Sequence, residues 1–404
     1  MEKILIIGGG QAGFSCATKL RASGFEGTIS IACEEEFFPY QRPPLSKKYL
    51  TGQFEMNRLL LRPEEYYKKN NIEVLLSTKA SEIKKEKKEV FFQFGESRSY
   101  TKLVLSTGSI AAKIFPKESN NSKNIFYLRN LKDADKLKEC LEPNKKMLVI
   151  GGGYLGLEIG SIASIIGMNV TIVESSERIL KRVAGSETAD FLRSIFKKNG
   201  VEIIENDAVE SLNVEDNIVS NIKLASGGKV KTDVVVVAVG GKPVIDLAER
   251  SGLDIDLGIK VNKRLQTNDI SIYAAGDCAS FDFNGKRVRF ESVGNAIDQG
   301  ETVALNLMGK NVEYKIRPWF WSDQFDLKLQ IAGLSEGSDE IIKRSYKNSI
   351  SFWYYTNDKL SAVDAFNDPT SYFIGKRLID EGKSISKEVV SDINSNLKDF
   401  LLNK

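Results

Sequence analysis

Histidine is missing from all 404 residues of the chain. Without imidazole the commonest general base, the Ser-His-Asp triad and most catalytic metal centres are excluded, so no metal site is expected. Cysteine is scarce: Cys16, Cys33, Cys140 and Cys278 stand far apart, with no CxxC pair, zinc spacing or disulfide framework. Such a chain suits a reducing compartment. No run reaches the ~18 consecutive apolar residues of a membrane span; the best stretch, Ile159–Met168, is short and interrupted by Gly160, Ser161 and Ser164. The opening Met1–Ile7 runs straight into glycines and lacks the apolar core and cleavage site of a secretory leader. A cytoplasmic protein without membrane attachment is expected. Charge of one sign is not in excess either, since 57 Lys and Arg face 54 Asp and Glu for a net +3. That balance excludes nucleic-acid binding by the molecule as a whole and leaves any charged docking surface local. Chemistry here has to come from a bound cofactor.

What is present is a repeat. Lys3-Ile4-Leu5-Ile6-Ile7-Gly8-Gly9-Gly10-Gln11-Ala12-Gly13 recurs as Lys146-Met147-Leu148-Val149-Ile150-Gly151-Gly152-Gly153-Tyr154-Leu155-Gly156. Each copy continues through a helix-compatible segment to a second apolar strand, Thr28–Ala32 and Asn169–Val173, that runs into acidic residues. Each therefore reads as a βαβ unit. Alternating strands follow, then an apolar run closing in glycine: Leu103–Gly108 in the first copy and Val234–Gly241 in the second. The charge-dense segment Ser81–Glu89 reads as a solvated hairpin tip. Beyond Pro318 short aromatic-rich strands and a helical tail predict a further α+β domain.

In the GxGxxG pattern the first glycine makes a tight turn, the second lets the backbone approach a pyrophosphate, and the third lets helix and strand pack closely. Gly8, Gly10 and Gly13 fill these roles first, and Gly151, Gly153 and Gly156 fill them again. The helix behind each offers free N–H groups and partial positive charge to phosphates. Glu174, at the end of the second βαβ unit, is placed to accept both adenosine ribose hydroxyls and to repel a 2′-phosphate, which favours NADH. Arg178, Lys181 and Arg182 lie close enough in sequence to offset that charge. In the first unit either Glu34 or Glu35 is expected to hold the ribose.

Four segments together are similar to the bacterial FAD-dependent NADH:ferredoxin reductases of the putidaredoxin reductase and aromatic-dioxygenase reductase type. They are Phe38–Lys47 (Phe-Pro-Tyr-Gln-Arg-Pro-Pro-Leu-Ser-Lys), Gly151–Glu158, Tyr273–Ala279 (Tyr-Ala-Ala-Gly-Asp-Cys-Ala) and Pro318–Gln324 (Pro-Trp-Phe-Trp-Ser-Asp-Gln). The resemblance implies an α/β fold with two Rossmann-like dinucleotide-binding domains and a C-terminal α+β domain. FAD would bind residues 1–108 and 242–317, NADH residues 109–241, and residues 318–404 would form the last domain. It implies FAD contacts at Gly8, Gly10, Ala12, Gly13, Glu34 or Glu35, Arg42, Lys47, Thr107, Gly108, Arg129, Gly276, Asp277 and Trp321. Asp277 would take the ribityl chain, whose hydroxyls need such an acceptor. NAD contacts would fall at Gly151, Gly153, Tyr154, Leu155, Gly156, Glu158, Glu174, Arg182 and Gly240. Lys47 and Glu158 are expected to form an ion pair beside the flavin that orients the nicotinamide amide and favours electron density on the reduced ring.

Flavin disulfide reductases share the layout but need cysteine beside the flavin, and Tyr40–Tyr49 contains none. Electrons are therefore expected to leave singly to an acidic ferredoxin-type carrier, [2Fe–2S] by resemblance, that supplies an oxygenase. A local basic face drawn from Arg287, Arg289, Arg317, Lys328, Lys376 and Arg377 would receive it. A rubredoxin acceptor, an apoptosis-inducing-factor-like flavoprotein sensor and a cofactor-free scaffold are the competing readings. The segment Gly240-Gly241-Lys242-Pro243-Val244 departs from the family by lacking the asparagine after its proline. Monomer and dimer are both open.

Overall fold

The computed structural model describes residues 2–283 and 285–402. The chain divides into two compact units, one made of Met1–Arg42, Glu55–Ile110 and Gly241–Ile316, the other of Pro43–Phe54, Ala111–Gly240 and Arg317–Lys404.

The first unit is built on a five-stranded parallel sheet in the order Ile272–Ala274, Lys102–Leu105, Lys3–Ile7, Thr28–Ala32, Ile72–Leu75. The central strand is apolar without alternation because both of its faces are covered, as parallel sheets require. Its register places Ile7 opposite Ala32 on one side and Leu105 on the other. The helix Gln11–Ala22 follows the glycine turn, and its buried face packs into the same core as the helix Val293–Leu307. The charge-dense segment forms an antiparallel hairpin of Ala80–Lys84 with Glu89–Phe92.

The second unit repeats the plan. Its parallel sheet runs Glu202–Ile204, Asn169–Val173, Lys146–Ile150, Val234–Val237, Ile125–Phe126, with Ile150 opposite Val173 and Val237. The residues 318–402 add a five-stranded antiparallel sheet, Trp319–Gln324, Leu327–Gly333, Lys359–Phe366, Ser349–Thr356, Glu340–Tyr346, backed by the helix Pro369–Asp380. Trp353, Tyr355, Val363 and Ile374 are at the centre of its apolar layer.

Two segments cluster by contacts with the second unit. Pro43–Phe54 belongs to the second unit, because the Tyr49 hydroxyl donates to Asp135 at 2.5 Å and Lys138 lies 5.2 Å over the Tyr49 ring. The segment after Pro318, with its own sheet and core, also clusters with that unit. Phe191 packs on Phe366 with ring centroids 4.7 Å apart, and Phe196 on Phe325 at 5.0 Å. Among the described residues no helix is long and apolar enough to cross a membrane.

Candidate functional site

The two glycine turns are superimposable in their logic. In the first, Gly8 has φ +113°, and a Cβ there would sit 2.2 Å from the carbonyl oxygen of Ser106; a Cβ on Gly13 would sit 2.2 Å from that of Gly8. A Cβ on Gly10, between them, would meet nothing within 4 Å. The outer glycines are thus demanded by protein packing, and the middle one leaves open space at a helix N-terminus. The second turn repeats this: Gly151 (φ +109°) would strike Ala238, Gly156 would strike Gly151, and Gly153 faces nothing within 4 Å. The first i to i−4 bonds run from Phe14 to Gly10 and from Leu157 to Gly153, so the N–H groups of each first turn remain for an anionic ligand.

The acidic residues after the second strands are not equivalent, for a reason set by register. Gly8 N–H donates to Ala32 as Gly151 N–H donates to Val173, so Cys33 stands where Glu174 stands in the other copy. A Cβ on Gly9 would lie 2.3 Å from the Cys33 sulfur, whereas Gly152 faces Glu174. Glu174 accepts the Gly152 N–H on Oε2 and the Ser176 N–H on Oε1, each at 2.7 Å, with the Ser175 hydroxyl 3.5 Å from Oε1, and Oε2 keeps acceptor capacity for a ribose hydroxyl. In the first unit the acid comes later. Glu35 folds back to take Arg42 at 2.6 Å and the Tyr40 hydroxyl at 2.5 Å, while Glu34 points to Lys79 at the surface. Both glutamates line a small recess with Gly9, Cys33, Phe37, Tyr40 and Arg42.

Asp277 accepts the Ser109 hydroxyl at 2.9 Å, and its carbonyl takes Arg289 at 3.1 Å. The preceding Gly276 (φ +81°) donates its N–H to Gln299 at 2.8 Å, while the amide nitrogen of Gln299 is fully buried with no partner among the described residues. A buried donor lacking an acceptor suits a ligand rich in acceptor oxygens, so the residues here fit FAD. Thr107 and Gly108 brace the same turn through Val244. Ala12 is buried, and a Cβ on Gly276 would stand 3.0 Å from its methyl, which leaves Ala12 only its backbone N–H to offer.

Lys47, Arg129 and Trp321 belong to the second unit. Lys47 Nζ lies 2.7 Å from Glu158 Oε2, and the two side chains are 11% and 6% exposed. Glu158 also accepts the hydroxyls of Ser46 and Ser322, each at 2.5 Å. Neither serine was expected, since each lies more than a hundred residues from Glu158 in sequence. Arg129 sits at the cap of helix Leu131–Lys138, where Asp133 takes its backbone N–H at 3.0 Å. Trp319 and Trp321 stack on one face of their strand at 5.6 Å, and Phe320, on the other, stacks on Tyr154 at 4.3 Å. Leu155 is half-buried in the first turn of the same helix as Tyr154. Arg182 is exposed, 3.6 Å from where a Cβ on Gly240 would be. Arg178 donates to the carbonyls of Ile179, Ala184 and Gly185, and Lys181 pairs with Glu177.

The six cations expected on a basic face differ in exposure and partners. Arg287 and Arg289 are largely covered and donate to backbone carbonyls, Arg289 also pairing with Glu291; Lys376 pairs with Asp380 and Arg377 with Glu381. Arg317 and Lys328 are exposed. All four cysteines are free, three are buried, and burial pushes the Cys33 thiol up to about 12, where it is inert.

Residues 2–300 match the model of the pyridine nucleotide-disulphide oxidoreductase family and residues 319–401 that of the reductase C-terminal domain. The chain is 34% identical over 98% of its length to rhodocoxin reductase of Rhodococcus erythropolis, covering 93% of that protein. It is also 34% identical to putidaredoxin reductase of Pseudomonas putida, covering 99% of this chain and 97% of that one. The fold matches the crystal structure of the covalent putidaredoxin reductase–putidaredoxin complex with a TM-score of 0.95 at 33% identity, over 99% of this chain and 98% of that one. The doubled glycine cradle, the fitting cofactor turn and these likenesses agree: the chain belongs to the pyridine nucleotide-disulphide oxidoreductase family and is an FAD-dependent oxidoreductase working with NAD(H).

Proposed function

We propose that this chain is a ferredoxin reductase that takes reducing equivalents from NADH and delivers them singly to a small, acidic [2Fe–2S] carrier serving an oxygenase. The observation that carries this reading is two dinucleotide cradles in a chain whose four cysteines are unpaired and whose Tyr40–Tyr49 segment holds none. Electrons can enter from a nicotinamide and cannot leave through a disulfide. The names of the relatives, reductases of small redox proteins, support a protein acceptor. FAD supplies the exchange between a two-electron donor and a one-electron acceptor.

The residues act by binding and charge. Gly10 and its helix would hold the FAD pyrophosphate, Glu35 with Arg42 the adenosine ribose, and Asp277 the ribityl chain; Gly153 and Glu174 would do the first two tasks for NADH. For Lys47, Arg129 and Trp321 the family resemblance is the support for flavin contact. Glu158 orients the nicotinamide amide by accepting its N–H, and the Lys47 ammonium favours electron density on the reduced ring. With Arg178 and Lys181 engaged elsewhere, the Glu174 charge supports NADH over NADPH. Arg317 and Lys328, both exposed, are the cations proposed to meet an acidic carrier, as a monomer or as a dimer, and the free thiols support a cytoplasmic setting. The test is NADH-coupled turnover of the purified yellow protein with a panel of [2Fe–2S] ferredoxins and a rubredoxin. Saturable turnover with a ferredoxin supports the reading, and turnover with none of them opposes it.

A further inference from the structure

The ion pair of Lys47 and Glu158 has two further members that hold the carboxylate in one orientation. The strand Trp319–Gln324 alternates, so Phe320, Ser322 and Gln324 share one face. On the helix Tyr154–Ile166, Tyr154 and Glu158 share a face at i and i+4. The two faces meet: Phe320 stacks on Tyr154, and Ser322 donates to Glu158 Oε1 at 2.5 Å. Ser322 and Gln324 are fully buried, and Glu158 is 5% exposed.

The directions of these bonds are forced. Glu158 is approached by one ammonium and two hydroxyls, which can all donate, so a carboxylate accepting all three satisfies every contact. Ser322 then spends its only hydrogen on Glu158, and Gln324, at 2.6 Å, has to turn its N–H toward the Ser322 oxygen. That leaves the Gln324 carbonyl oxygen buried without a partner among the described residues, a penalty that a position serving packing alone has no reason to carry. Oxygen Oε2 of Glu158 receives both Ser46 and Lys47 and is saturated. Oxygen Oε1 receives only Ser322 among the described residues and keeps one acceptor site.

We infer that Ser322, backed by Gln324, is a positioning residue that aims the remaining acceptor site of Glu158 Oε1 at an N–H donor of the bound dinucleotide. The inference rests on the proposed role of Glu158 toward the nicotinamide amide. Strand and helix then form one unit in coenzyme binding, and the segment after Pro318 contributes to the NAD site as well as to carrier docking.

The experiment uses the FAD-loaded protein with Ser322→Ala, Ser322→Thr, Gln324→Met, Glu158→Ala and the Ser322→Ala/Glu158→Ala double variant. Calorimetric titration with NAD+ measures affinity without turnover, stopped flow measures flavin reduction by NADH, and thermal melting with FAD content reports folding. Ser322→Ala is expected to weaken NAD+ binding and slow reduction roughly tenfold, the scale of one charge-assisted hydrogen bond. Gln324→Met should act in the same direction by less, Ser322→Thr should recover most of the loss, and Ser322→Ala should add nothing once Glu158 is alanine. An unchanged affinity in Ser322→Ala, or an equal loss with and without Glu158, overturns the positioning role while leaving Glu158 untouched. If Glu158→Ala itself changes neither affinity nor rate, the reading of Glu158 falls first and the inference with it. Should Ser322→Ala not fold, Gln324→Met with and without Glu158 decides by the same comparison.

Discussion

At the scale of single residues, the glycines of each cradle divide into those the protein needs and one the ligand needs. Gly13→Ala would force a methyl to 2.2 Å from the Gly8 carbonyl oxygen, and Gly10→Ala would enter open space. Gly13→Ala is therefore expected to lower the melting temperature of the apoprotein by several degrees, corresponding to about 1–3 kcal/mol of overpacking. Gly10→Ala should melt like the parent but copurify with less FAD. The pair Gly156→Ala and Gly153→Ala should separate in the same manner, with NAD+ affinity as the ligand readout. Glu174 gives a second prediction. Glu174→Ala should raise the NADPH-to-NADH ratio of kcat/KM by roughly tenfold or more, since the proposed ribose contact of this carboxylate would supply both the attraction and the repulsion. An unchanged ratio would show that Glu174 does not set the coenzyme preference. The cradles were legible in sequence because each glycine role is set within a few residues. The choice between Glu34 and Glu35 was not, because Cys33 takes the register position of Glu174 and the contacts of Glu35 with Tyr40 and Arg42 are visible only in the fold.

At the scale of elements, the strand Lys359–Phe366 meets the helix Ser186–Lys198 through a buried acid. Asp364 accepts the Thr188 hydroxyl at 2.6 Å and the Tyr354 hydroxyl at 3.2 Å, and Thr188 lies in the first turn of that helix. Burial raises the Asp364 carboxyl to about 6, the two hydroxyls opposing the rise. The unfolded chain, with an ordinary aspartate, releases this proton near pH 4, so between about pH 4 and 6 the native state binds more protons than the unfolded one. Stability is expected to fall as pH rises through that window, by about 3 kcal/mol in all, and to level off above it. Asp364→Asn should flatten this portion of the profile in urea melts taken from pH 4 to 7. A parallel profile in parent and variant would assign the pH dependence elsewhere. None of this could be read from sequence, because Thr188 and Asp364 are 176 residues apart and belong to segments with no shared motif. Ser46, Ser322 and Gln324 escaped for the same reason, whereas Lys47 and Glu158 were found only through family resemblance.

At the scale of the whole molecule, the sequence repeat became a structural one: two parallel sheets with corresponding strand order and the same glycine geometry at the corresponding strand ends. What the repeat could not reveal was that Pro43–Phe54 and the segment after Pro318 cluster with the second unit, an outcome decided by Tyr49 on Asp135 and by aromatic packing of Phe191 and Phe196. With a net charge of only +3, attraction for an acidic carrier has to be local. Arg317→Glu with Lys328→Glu is accordingly expected to raise the KM for the carrier several-fold at low salt, to lose that effect at high salt, and to leave NADH-driven flavin reduction unchanged. An unchanged carrier KM at low salt would move the docking face elsewhere. The most direct test of the central claim is cytochrome c reduction by the FAD-loaded protein and NADH, with and without an added [2Fe–2S] ferredoxin. The account predicts rapid bleaching of the flavin by NADH and cytochrome c reduction that depends on ferredoxin and saturates with it; bleaching followed by reduction at the same rate without ferredoxin, or no bleaching by NADH, would contradict it.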